Sequence, residues 1–129
     1  MAKEIFIYPS RSVHITRSDL GKVVKLKVSK DYKPQGVSFS PTVRGALEGV
    51  PFYYTRNSKD WSRRKKWLKE GSLWYVYTPT KKYKAIIPEV DDYSRTRERR
   101  VLSKVEAKRL GKIKVGISSD KWTYKWLKA

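Results

Sequence analysis

The chain has 129 residues, with 31 Lys or Arg against 12 Asp or Glu and a formal net charge of +19. The absence of cysteine excludes a disulfide framework, a thiolate zinc site and a thiol nucleophile, and the single histidine excludes any two-histidine metal centre. The length suits one domain, taken as 1–129, and five Trp, nine Tyr and three Phe give it material for a core.

In chain order, residues 4–8 (Glu-Ile-Phe-Ile-Tyr) read as a strand stopped by Pro9, and Val13 to Thr16 as a short second strand that includes His14, a structural residue rather than a base. Asp19-Leu20-Gly21 is a turn. From Lys22 to Lys30 the pattern alternates, with Val24, Leu26 and Val28 on one face and Lys25, Lys27 and Ser29 on the other, as in a strand with one wet side. Three Gly and three Pro between 31 and 51 argue for a long loop with one short strand at Val37–Phe39, and Phe52 to Thr55 restarts a strand.

Residues 60–70 predict a short basic helix docked by Trp61 and Leu68 and stopped at Gly71. Leu73 to Thr78 is the clearest strand in the chain, on its β-branched and aromatic content, and Tyr83 to Ile87 follows it after Lys81-Lys82 in the turn. A stripe of Val101, Leu102, Val105 and Leu110 predicts a longer, arginine-rich helix over 95–110, capped by Ser94 and closed by Gly111. Lys112 to Ile117 is a last core strand, and Trp122 to Trp126 closes the chain. The expected fold is therefore α+β: a compact single domain with a mostly antiparallel sheet of about five to seven strands, one short basic helix and one longer one.

An excess of positive charge this large repels itself unless a polyanion relieves it, and nucleic acid is the partner that does so most directly. The excess is uneven: residues 1–53 carry nine basic and four acidic groups (+5), residues 54–129 twenty-two and eight (+14). Between 56 and 84, ten basic residues are interleaved with aromatic rings. That combination holds single strands, because cations track phosphates while flat rings stack on bases. The expected phosphate contacts are Arg56, Arg63, Arg64, Lys65, Lys66, Lys69, Lys81 and Lys82, with Arg97 and Arg100 from the second helix. The expected stacking residues are Trp67, Trp74, Tyr75 and Tyr77, with Trp122 and Trp126 behind them.

The expectation is a non-enzymatic nucleic-acid-binding protein that favours single strands, with little sequence preference and no cofactor, metal or catalytic residue. Three rivals share the charge. A ribonucleoprotein component would use the arginine helix on folded RNA, and a viral packaging protein would oligomerise along duplex DNA. A magnesium-dependent nuclease would draw on Glu89, Asp91, Asp92 and the Glu106-Ala-Lys108 element, although that element falls in a predicted helix where nucleases place it on a strand. No apolar run approaches the roughly 18 residues of a membrane span, no signal-peptide core follows Met1, and no long amphipathic helix offers a membrane face. A cytoplasmic setting is expected. The scarcity of Asn, Gln and Met beside abundant charge points to a hyperthermophilic host or its virus.

Overall fold

Residues 73–78 are apolar or aromatic at nearly every position, which suits a strand covered on both faces. A computed structural model of the chain describes residues 3–17, 19–27, 36–47, 72–87, 98–118 and 121–127. Within them run β1 (Lys3–Ile7), β2 (His14–Thr16), β3 (Val23–Leu26), β4 (Val37–Phe39), a five-residue helix α1 (43–47), β5 (Ser72–Pro79), β6 (Tyr83–Ile87), β7 (Arg99–Val101), β8 (Val105–Ser118) and β9 (Lys121–Leu127). One sheet has the order β1-β6-β7-β4. The other has β2-β5-β8-β3, with β9 also paired to β8. All these pairings are antiparallel.

The two faces of β5 enter different cores. Trp74 and Val76 pack with Val13, Ile15, Ile113, Val115 and the α1 residues Val43, Ala46 and Leu47. Tyr77, one residue out of phase, packs with Ile7, Leu26, Phe39, Ala85, Val101, Val105 and Ala107, and so joins the two sheets face to face. Thr42 caps α1 by accepting the Gly45 N–H on its hydroxyl at 3.0 Å.

β8 is the central strand, with β5 along one edge and first β3, then β9, along the other. Val76 pairs with Gly111 but Tyr77 pairs with Arg109, so Leu110 is an extra residue and forms a bulge. A bulge of one residue exchanges the faces. Val105 and Ala107 therefore point into the inter-sheet core, while Ile113 and Val115, of the same numerical parity, point into the core under α1.

The α+β expectation is overturned. The described residues are mostly antiparallel strand with one short helix, and the longer basic helix is absent. Arg99–Val101 is β7 and residues 105–110 open β8; positions 95–97, and the shorter helix expected over 60–70, lie outside the described residues. The stripe Val101, Leu102, Val105, Leu110 fits a helical period, but Val105 and Ala107 fit period two equally well. Pairing on both edges of β8 decides between them. Gly111 stops no helix. It lies mid-strand beneath Trp126, where a Cβ would stand 3.1 Å from the indole. Among the described residues no helix is long and apolar enough to cross a membrane.

A polar pin fastens β5 to the turn before β3. The buried Tyr77 hydroxyl donates to the Gly21 carbonyl at 2.8 Å and accepts the Leu20 N–H at 2.9 Å. Asp19 accepts the Gly21 N–H at 3.0 Å and pairs with Arg109. The Gly21 N–H, with Arg109 beside it, holds the Asp19 carboxyl below its ordinary value, while burial pushes the Tyr77 phenol up. Tyr77→Phe strands the Leu20 N–H and the Gly21 carbonyl and should lower stability by about 1–3 kcal/mol in denaturant titration.

His14 lies against Phe39, ring centroids 5.8 Å apart, with Nδ1 2.8 Å from the Ser38 carbonyl oxygen. An Nδ1–H donated to that carbonyl fits the neutral ring. Burial pushes the imidazole below its ordinary 6.5, although the Ser38 contact opposes the shift. The unfolded chain therefore binds the proton more readily. Stability should be intact above pH 6.5 and decline as the pH falls below it, and thermal melts of His14→Gln should lose that slope.

Candidate nucleic-acid interface

The expected site residues divide three ways. Arg56, Arg63, Arg64, Lys65, Lys66, Trp67, Lys69 and Arg97 lie outside the described residues. Lys81 and Lys82 are exposed in the β5–β6 turn, as expected. That turn is fixed: the Thr80 N–H donates to the Glu106 carbonyl at 2.9 Å, the Thr80 hydroxyl to the Glu106 carboxylate at 2.8 Å, and the Glu106 N–H to the Tyr83 hydroxyl at 2.9 Å.

Of the remaining residues, Trp74, Tyr77 and Arg100 need correction. Trp74 and Tyr77 are each 0% exposed and present no ring surface to a base; they are the core residues of β5's two faces. Tyr75 is half-buried against the inter-sheet core. Trp126 does stand out, at 47% exposed, with Gly111 beneath it, and Trp122 pairs with Ile117 on β9. Arg100 is no phosphate contact. Its side chain is 4% exposed and bonds Glu98 at 2.8 Å, and Glu98 also accepts the Ser38 hydroxyl. Its stem runs over Gly36, where a Cβ would also stand 2.8 Å from the Val101 carbonyl. Removing one member of so buried a pair is costly. Arg100→Ala should lower stability by about 3 kcal/mol in denaturant titration and leave the affinity of the folded fraction for an oligonucleotide unchanged.

What the structure does bring together is a lysine face on β5, β8 and β9. Beyond the bulge, Lys112 and Lys114 point away from the α1 core. Cross-strand pairing places Leu73, Lys114 and Lys125 in one row, and Tyr75, Lys112 and Leu127 in the next. Lys114 and Lys125 are exposed and directly opposite, with Cβ atoms about 5 Å apart, an arrangement that destabilises a sheet by itself. The ion pairs Lys84–Glu4, Arg100–Glu98 and Arg109–Asp19 lie elsewhere, and no acidic side chain among the described residues pairs with Lys112, Lys114 or Lys125. Lys112, Lys114 and Lys125 were missing from the sequence-based site because Lys112 to Ile117 reads simply as a core strand. Alternation with Ile113 and Val115 is the signal that marks Lys112 and Lys114, and alternation with Tyr124 and Trp126 the one that marks Lys125.

A second cluster was also missed. On β1, Ile5 and Ile7 turn inward, leaving Phe6 49% exposed and Tyr8, just after the strand, 42% exposed. Lys84 pairs opposite Phe6. The Lys82 ammonium lies 4.2 Å from the Phe6 ring centroid and 5.9 Å from that of Tyr8. An exposed cation–π contact is worth about 0.5–1 kcal/mol, whereas a base stacked on a ring is worth about 1–3 kcal/mol. A base can therefore replace the ammonium at a gain, and the lysine is then released toward a phosphate. Period-two reading of Glu-Ile-Phe-Ile-Tyr would have placed both rings outside.

The Glu106-Ala-Lys108 element lies on strand β8, not in a helix, so that objection to a nuclease falls away. Glu106 is engaged by Thr80, and no three His, Asp or Glu side chains converge among the described residues. No protein family, curated protein or solved structure matches the chain.

Proposed function

We propose that this is a non-enzymatic nucleic-acid-binding protein that favours single strands and reads charge rather than sequence. The observation that carries the proposal is the lysine face, where Lys114 opposes Lys125 across β8 and β9, with Lys112 beside them and Tyr75 and Leu73 in the same rows. Like charges held in register by a sheet form a site for a polyanion, and neutralising them with phosphates removes the repulsion and releases counterions. The exposed rings of Phe6 and Tyr8 beside Lys82 suit unpaired bases better than a duplex, whose bases are already stacked on one another. The alternative on folded RNA rests on an arginine helix at 95–110, and the described part of that stretch holds β7 and the start of β8 and no helix. The composition favours an intracellular role in a heat-adapted host or its virus, where high charge and few amides are common.

The test is fluorescence anisotropy with oligothymidylate, duplex DNA and structured RNA over a range of salt, with and without magnesium. The proposal predicts tightest binding to the unpaired strand. Changing Lys112, Lys114 and Lys125 together to Gln should flatten the log–log salt slope by about 0.7 per lysine, about 2 in all. An unchanged slope, or magnesium-dependent cleavage of the probe, would contradict it.

A further inference from the structure

We infer that Phe6 and Tyr8 form a stacking platform for unpaired nucleobases, with Lys82 as its movable cation; this rests on the nucleic-acid reading above. Phe6 lies on β1 and Tyr8 directly follows its last residue, Ile7; one ammonium, that of Lys82, lies 4.2 and 5.9 Å from their ring centroids, so the two rings share a face. Both are exposed, although Ile5 and Ile7 between and beside them serve the core. Two exposed rings side by side offer a flat apolar surface that suits a partner with a flat apolar face of its own.

Hydrogen bonds tie their setting to the sheet. Pro9 and Ser10 form the turn after Tyr8, Ser10 has φ 63°, and the Tyr8 carbonyl accepts the Arg11 N–H at 3.2 Å. The Ser10 N–H in turn donates to the Thr78 hydroxyl at 2.8 Å, and that hydroxyl donates to the Ser12 carbonyl at 2.7 Å, which ties the turn to β5. Lys82 rises from the turn braced by Thr80 and Glu106 and caps both rings.

A polar surface would leave a lysine free in water; here the ammonium lies over the apolar ring faces. A nucleobase takes that place by stacking, and the displaced ammonium stays within reach of the phosphate attached to it. A duplex cannot make the exchange, because its bases are already stacked. A free phosphate or an acidic peptide could pair with Lys82 and Lys84 but would leave the rings uncovered. The cluster therefore selects for bases, whereas the lysine face on β8 and β9 selects only for charge.

Two oligomers of equal length and charge separate these roles: oligothymidylate and its abasic counterpart. The wild-type protein should bind oligothymidylate about tenfold more tightly. The double variant Phe6→Leu, Tyr8→Leu should bind both alike, near the abasic value, while Lys82→Gln should weaken both by a similar factor. Retention of the preference by the double variant overturns the platform and leaves the nucleic-acid reading standing; failure of the wild type to bind either oligomer overturns that reading itself. Ultraviolet cross-linking of a 5-iodouracil oligomer to the wild-type protein is independent of any variant's folding. Adducts on Phe6 or Tyr8 support the platform, and adducts confined to other residues overturn it.

Discussion

Everything in this molecule depends on the register of β8. A single extra residue, Leu110, lets one strand contribute Val105 and Ala107 to the core between the sheets and Ile113 and Val115 to the core beneath α1. The same switch sends Lys112 and Lys114 to the open side of the sheet. Without the bulge, Ile113 and Val115 would face outward and two ammonium groups would enter an apolar core, a state no folded chain tolerates unpaired. Packing and charge display are therefore one constraint.

The price of that constraint is local repulsion. Lys114 faces Lys125 across adjacent strands, and no acidic side chain among the described residues stands between them. Three cations elsewhere are paired: Arg109 leans on Asp19, Arg100 is buried beside Glu98, and Lys84 meets Glu4. Arg100 and Arg109 are thereby cations that hold the fold. Abundance alone therefore misleads, since Arg100 belongs to a basic run and yet serves the interior.

Much of the sheet was legible beforehand. The strands at 4–8, 13–16, 37–39, 73–78 and 83–87 follow from β-branched and aromatic content bounded by Pro and Gly, and the alternation of Val24 and Leu26 with lysine marked the buried side of β3. The error came at 95–110, where short apolar spacings satisfied two periods and only long-range pairing to β3 and β5 separates them. The site was harder to read. Trp74 and Tyr77 attract notice as aromatic residues near lysines, but a strand between two cores buries both of its faces, and no local pattern reveals that a second sheet covers the other side. Phe6 and Tyr8 were the more readable pair, because Ile5 and Ile7 already claimed the inner face of their strand.

The central claim is that the side of the sheet opened by the bulge carries the ligand. It is tested most directly by cysteine footprinting, for which a chain without cysteine is well suited. Thr123→Cys places a neutral, exposed thiol on the lysine face, and Lys108→Cys places one on the opposite side of β8, before the bulge. Both thiols should react freely with a maleimide in the absence of ligand. Saturating oligothymidylate should protect position 123 and leave position 108 reactive. Equal reactivity at both positions with the oligomer bound, or protection of position 108 alone, would contradict the account.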